Sequence, residues 1–296
     1  MSANLLFKID NLIEGEIIKR PSKYIKTPYV ADIIPINNDT NNFQNEVLGH
    51  TASLGCCGLA DTGAQILMAP LEVKKNMKYK NKNQMSCSYR VYLSIFKEKN
   101  REIIIGIYPK LAEQIVENAL KKNLLSKLQN IKTFKRETAI YVEGKVDSRF
   151  DFTGIDCNGI PFIMEVKNVP LADYEDITAK ERKNKCYNNR DINSKVAYFP
   201  DGYRKKSTDT VSPRALKHIN ELTLIKKESI TRCITCYVIQ RTDVDRFQPS
   251  IIDMDYRNAV KNAIIAGVEI ITLVVSWNKN GEVYFVKDNL PITNFD

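Results

Sequence analysis

The stretch "SRFDFTGIDCNGIPFIMEVKN", residues 148–168, constrains the fold most. Apolar and polar residues alternate with the period of a strand on both sides of Asn158-Gly159, so it reads as two strands joined by a turn. On the first strand Phe150 and Phe152 are predicted to share one face, with Arg149, Asp151 and Thr153 on the other. On the second, Phe162, Met164 and Val166 share a face, and Ile163, Glu165 and Lys167 take the opposite one. A two-residue turn at Asn158-Gly159 would set Asp151 against Val166 and mix the faces. A three-residue loop of Cys157, Asn158 and Gly159 sets Asp151 against Glu165 and Phe152 against Met164, with Gly159 in the left-handed position that such loops favour. A slip of one residue turns a whole strand over, so burial of the aromatic face selects the three-residue loop.

That register creates an electrostatic problem. Directly paired side chains sit with β-carbons ~5 Å apart, and two carboxylates at that distance repel unless something positive lies between them. A divalent cation resolves the conflict, and hard oxygen ligands suit Mg²⁺ or Mn²⁺. Lys167 lies two residues from Glu165 on the same face, where an ammonium can orient a water or stabilise charge on a phosphate. Asp, then Glu-x-Lys on the next strand, is therefore a constellation for phosphodiester hydrolysis. It also fits solvated polar residues on an exposed sheet face, and spacing alone does not separate the two.

Around this hairpin the chain divides near residue 108. Before it, short apolar stretches such as "LIEGEIIKR", "YVADIIPI", "AQILMAPLEV", "YRVYLSIF" and "EIIIGI" alternate with polar punctuation and predict a small barrel or sandwich. The glycine-rich "GHTASLGCCGLADTG" predicts a tight loop and matches no phosphate loop. After it, a helix opens near Pro109 with Ala112, Ile115, Val116, Ala119 and Leu120 as its apolar stripe. The polar, basic "ITAKERKNKCYNNRDINSK" reads as an exposed insertion. A further helix starts with Ser212 as N-cap and Pro213 in its first turn. A strand at Arg232–Gln240, a helix around Tyr256–Ala266 stopped by Gly267, and the strand "VEIITLVVSW" follow, an order that favours parallel pairing with a right-handed crossover.

Composition narrows the function classes. A hydrophobic content of 43% and a charged content of 27% are those of a globular protein with a real core. No run approaches the ~18 apolar residues of a membrane span, and the first residues lack the pattern of a signal peptide, which predicts a cytoplasmic protein without a membrane partner. Seven scattered cysteines do not form a disulfide framework. Cys233 and Cys236 are a CxxC without a second pair, and strand alternation places Cys233 and Tyr237 on one face and Ile234, Cys236 and Val238 on the other, as buried structural residues. The net charge of +9, from 44 basic and 35 acidic residues, is compatible with a polyanion partner and equally with a lysine-rich solvated surface.

The segments "SRFDF", "MEVKNVPLA", "YFPDG", "RALKHINEL" and "GVEI", in that order, resemble the sugar fermentation stimulation protein (SfsA) family. The resemblance is specific from about Glu137 onward and looser before it, where "LGHTASLGCCG" stands in place of the family's Asn-Thr-Gly segment. It implies an α/β protein, α+β overall: an N-terminal OB-like β-barrel over 1–107, then a PD-(D/E)xK restriction-endonuclease-like domain over 108–296. It implies a nucleic-acid-binding protein, with DNA favoured over RNA, carrying a Mg²⁺-dependent (or Mn²⁺-dependent) nuclease site. The alternative is a nonspecific DNA-binding regulator of sugar or maltose metabolism in which that site is silent. Asp151 matches the metal-binding Asp, and Glu165 and Lys167 match the E-x-K. Glu137 in "KRETAIY" matches an upstream acidic residue, with Glu143 as competitor. Asp201, Arg214, Lys217 and His218 match further positions. Arg149 holds a phosphate or pairs with a carboxylate; Arg214 and Lys217 face phosphate or belong to a solvated helix face; Asp201 and His218 are auxiliary to the site or act locally.

Overall fold

The structure, a computed structural model, describes residues 4–36, 45–51, 58–71, 86–182, 184–200, 209–293 and 295. Two large sheets account for most of it. The chain opens with β1 (Leu5–Lys8), β2 (Ile13–Lys19), β3 (Val30–Pro35), β4 (Val47–His50), β5 (Gln65–Pro70), β6 (Tyr89–Glu98) and β7 (Arg101–Gly106). Of these, β2 to β7 form a six-stranded sheet in the order β4-β3-β2-β5-β6-β7, and β4 also pairs in parallel with β6 through Gly49–Tyr89 and His50–Arg90. All five strands predicted here are present, and Ile17, Ile33, Ile66, Met68, Val91 and Ile105 fill the core between them.

The second sheet follows α1 (Lys110–Lys121), β8 (Thr133–Val142), β9 (Val146–Ile155) and β10 (Pro161–Val169). Next come β11 (Ala172–Asp173), α2 (Ala179–Arg182), β12 (Lys195–Phe199), α3 (Pro213–Glu228), β13 (Arg232–Ile239), β14 (Val244–Pro249), α4 (Met254–Ile265), β15 (Glu269–Trp277) and β16 (Glu282–Lys287). The seven-stranded sheet runs β1-β16-β15-β13-β10-β9-β8, while β11, β12 and β14 make a small third sheet. The pairs β10–β13 and β13–β15 are parallel, as the strand–helix–strand order predicts. β1 joins the far edge of this sheet by pairing with β16, a long-range contact with no local sequence signal.

Helices cover both faces of the second sheet. The predicted stripe of α1, Ala112, Ile115, Val116, Ala119 and Leu120, is buried on one face with Phe152, Met164, Ile234, Cys236 and Val238. On the other, Ala215, Ile219 and Leu222 of α3 and Val260 and Ala263 of α4 pack on Phe150, Ile163, Cys233 and Tyr237. The CxxC cysteines are thus buried on opposite faces, and burial pushes both thiols up. The five described cysteines are free. Pro213 opens α3 after Ser212, whose hydroxyl makes no capping bond, whereas Asp253 caps α4 by accepting the Tyr256 N–H. No helix among the described residues is long and apolar enough to cross a membrane.

The first sheet is tied to the small third sheet by buried charges. Lys195 Nζ donates to Asp243 at 2.6 Å and to Glu98 of β6 at 2.5 Å, while Arg241 forks onto Asp243 with two 2.6 Å bonds. Lys195 and Asp243 are 2% and 1% exposed. The segment predicted as an exposed insertion contributes to this junction: Lys99 donates to the carbonyls of Tyr187 and Arg190, and Arg101 to Asn193. Its polar composition serves hydrogen bonds to the β6–β7 turn as well as solvent. Removing one member of a buried ionic set strands the others, at a cost of about 3–5 kcal/mol. Asp243→Ala is therefore expected to lower the urea midpoint by that equivalent at unchanged m-value, and an unmoved midpoint would show that the set carries no stability.

Candidate active site

The β9–β10 hairpin adopts the three-residue loop. Ile155 faces Pro161, Phe152 faces Met164, Asp156 N–H donates to the Ile160 carbonyl at 2.9 Å, and Gly159 has φ +83°. The Asp156 carboxylate fixes the turn by accepting the N–H groups of Asn158 and Ile160, both at 2.9 Å.

Beyond Phe152 the strand departs from ideal alternation. The β9–β10 ladder ends at Phe152–Met164, and the β8–β9 ladder passes from Arg136–Phe152 to Thr138–Phe150 without pairing Glu137 and Asp151. Glu137 has φ +49°, a left-handed backbone that a side chain with a β-carbon adopts at a cost. The prediction that Phe150 and Phe152 share a face fails for this reason. The irregularity at Asp151 sends Phe150 to the α3 side and Phe152 to the α1 side. It also frees Val166 N–H, which donates to Asp151 Oδ2 at 2.7 Å. The carboxylate is thus anchored on β10 at the point where β9 parts from it.

Glu165 is 4% exposed and Lys167 9%. Glu165 Oε1 accepts two bonds, from Lys167 Nζ at 2.6 Å and on its other side from His218 Nδ1 of α3 at 2.5 Å. Glu165 Oε2 is buried with no hydrogen-bond partner. Burial raises the pKa of Glu165, but the Lys167 charge and the His218 hydrogen bond outweigh it, and the net shift is downward. Asp151 moves the other way: burial first, then the Glu165 charge, push it up to about 7, against the Val166 N–H and Lys167. Glu113 of α1 adds to that rise. The site thus holds a carboxylate held low by its partners, a second whose ionisation burial and then Glu165 oppose, and an oxygen without a donor. These features fit a divalent cation between Asp151 and Glu165. Among the described residues no cluster of three or more His, Cys, Asp or Glu side chains is arranged to hold an ion, so water or backbone oxygen would complete the shell, as Mg²⁺ tolerates.

A family model described as the sugar fermentation stimulation protein (SfsA) RE domain matches residues 110–281. The chain belongs to the SfsA family. A sugar fermentation stimulation protein homolog of Pseudomonas putida (strain GB-1) is 30% identical over 182 residues, 61% of this chain and 63% of the relative. The aligned chain thus spans less than two thirds of the length of such Pseudomonas relatives. A homolog from Prochlorococcus marinus (strain MIT 9301) is 28% identical over 278 residues, 93% of this chain and 94% of the relative. The solved structure of Pyrococcus furiosus SfsA in complex with Ca²⁺ is similar over 98% of this chain and 99% of that one, with a TM-score of 0.69 and 18% identity, a likeness of fold. The mixed α/β, sheet-rich architecture is that of SfsA.

The other residues expected at this SfsA site are dispersed. Glu137 lies 3.6 Å from Arg149, and both side chains are well exposed. Glu143 lies in the exposed β8–β9 turn. Lys217 Nζ donates to the Asp147 carbonyl at 2.5 Å and lies 3.7 Å from Glu221, which ties α3 to the start of β9. Arg214 is exposed on the first turn of α3. Asp201 lies outside the described residues. Glu113, which acts on Asp151 from α1, was not singled out from the sequence; the helical position of a surface acid carries no sign of the strand it faces.

The raised Asp151 pKa makes stability pH-dependent. The folded state binds a proton that the unfolded chain has released, from the ordinary carboxylate range near 3.8 up to about 7. Metal-free protein is therefore expected to lose stability as pH rises through that window, by up to about 1.4 kcal/mol per unit. Glu165 contributes oppositely and only below its ordinary value of 4.5. Urea unfolding from pH 4.5 to 7.5 should show the decline in wild type and a flatter profile in Asp151→Asn; identical profiles would refute the shift.

Proposed function

We propose that this SfsA protein is a divalent-metal-dependent nuclease acting in the cytoplasm on nucleic acid, DNA rather than RNA, through a PD-(D/E)xK-type centre. The observation that carries this reading is the unpartnered, buried Glu165 Oε2 beside an Asp151 whose ionisation Glu165 opposes. The Ca²⁺ bound by Pyrococcus furiosus SfsA supports a hard divalent ion in a protein of this fold. Asp151 and Glu165 would hold Mg²⁺ or Mn²⁺, which supplies Lewis acidity toward a phosphoryl oxygen and lowers the pKa of water.

The chain's own groups supply the rest. Glu165 is oriented by Lys167 and His218 on one oxygen, which leaves the other free as a ligand. The Lys167 ammonium has three protons and spends one on Glu165. The remaining two can orient the attacking water and offset charge that develops on the phosphoryl group. His218 is a positioning residue, since it acts through Glu165. We read the first sheet, with β4 bonded to both β3 and β6, as an OB-like barrel that presents the strand to this centre.

The test is cleavage of end-labelled single- and double-stranded DNA and RNA with Mg²⁺ or Mn²⁺. Wild type is expected to cut, EDTA to abolish cutting, and Lys167→Ala to lose roughly 10²–10³-fold in rate while still binding. Equal cutting by wild type and Lys167→Ala would discard the mechanism. Salt-dependent binding without cutting by wild type would leave a nucleic-acid-binding protein with a silent centre.

A further inference from the structure

A cleft of about 470 Å³ lies between α1 and the first sheet, within the ~300–1,000 Å³ range of small-ligand clefts. Tyr92 of β6 and Tyr108, just before α1, meet in it as an edge-to-face pair with centroids 5.3 Å apart. Its charged lining is mostly basic: Lys110, Lys121 and Arg136, with Glu117 already engaged by both Lys121 and Arg136. Arg90 stands just outside this lining, over the Tyr108 ring at 5.0 Å. Its Nε is buried without a hydrogen-bond partner, and no carboxylate among the described residues pairs with it. A half-buried guanidinium without a carboxylate partner is open to an anion that arrives from outside.

The position of the cleft matters as much as its chemistry. Arg136 faces Phe152 across the β8–β9 ladder, one residue from Asp151, and its guanidinium lies 5.8 Å from the Phe152 ring. It also pairs with Glu113, the helix carboxylate that acts on Asp151. A second cleft among the described residues, beside Lys195, differs: its Lys195, Arg241, Arg182 and Lys185 all have carboxylate partners.

We propose that the Tyr92–Tyr108 cleft holds one unpaired nucleotide of a single strand, its base on the tyrosines and its flanking phosphates on Arg90 and Lys110, next to the scissile position at Asp151 and Glu165. This inference rests on the nuclease reading for the identity of the strand. Every base offers a π-face, so such a subsite tolerates any sequence, and it excludes a duplex whose bases remain stacked on each other. Arg90 adds a cation already oriented by stacking, at no further ordering cost when the phosphate arrives.

The test uses the full chain in EDTA, so that binding is read without cleavage. Fluorescence anisotropy would follow a short labelled deoxythymidine oligonucleotide and a blunt duplex. Tyr92→Ala and Tyr108→Ala are each expected to weaken single-strand binding by about 5- to 150-fold and to leave duplex binding nearly unchanged, while Tyr92→Phe retains wild-type affinity. Arg90→Ala should reduce the slope of log affinity against log salt by about 0.7. Circular dichroism of each variant separates loss of binding from loss of fold. Unchanged single-strand affinity in folded Tyr92→Ala and Tyr108→Ala, or no single-strand binding by wild type, would overturn the proposal. Cleavage by wild type with unaffected tyrosine variants would remove the cleft and keep the nuclease. Tyrosine-dependent binding without any Mg²⁺ cleavage would keep the cleft and remove the nuclease.

Discussion

The arrangement of the centre depends on one local constraint, the interruption of β9 at Asp151. A regular strand there would give its backbone to both neighbours and aim Phe150 and Phe152 to the same side. Instead both ladders leave Asp151 unpaired, and its carboxylate takes the Val166 N–H that a backbone carbonyl would have accepted. The cost appears in the left-handed Glu137 directly across the break. The return is a carboxylate fixed against β10 within the field of Glu165, in an environment dry enough to hold the Asp151 pKa near 7. Sheets accept such irregularities where a side chain must be re-aimed, and a cation site between two strands is such a place.

Around that break, each face of the sheet supplies a different support. The α3 side contributes His218, which shares Glu165 Oε1 with Lys167, and the Lys217 bond to the Asp147 carbonyl that steadies the start of β9. The α1 side contributes Glu113, Glu117 and Arg136, a surface ion network that spans from the helix to β8. The Lys195–Asp243–Arg241 set with Glu98 ties β6 of the first sheet to β12 and to the residues that lead into β14. Its location in the dry interior makes it sensitive to the loss of any member, whereas exposed pairs such as Arg149–Glu137 contribute little.

The hairpin register was legible because Gly159 and the spacing of Phe152 and Met164 left one arrangement that buries the aromatic residues. The helical stripe of α1 and the opposite faces of Cys233 and Cys236 were legible for the same reason: burial follows period. Phe150 was misread because periodicity assumes an unbroken strand, and no residue type announces the break at Asp151. The edge position of β1, the reach of Lys217 to Asp147 and the charge of Glu113 on Asp151 are long-range consequences of the fold, with partners far apart in sequence. The 3.6 Å approach of Arg149 to Glu137 likewise depends on their strands lying side by side.

Membership in the SfsA family fixes the architecture, and the chemistry turns on whether Asp151 and Glu165 share a cation. Crystals soaked in Mn²⁺ and measured at its absorption edge address this most directly. An anomalous peak is expected about 2.1 Å from an Asp151 carboxylate oxygen and from Glu165 Oε2, with Lys167 still bonded to Oε1. Empty density there at saturating Mn²⁺, or a peak held by other residues, would contradict a shared cation.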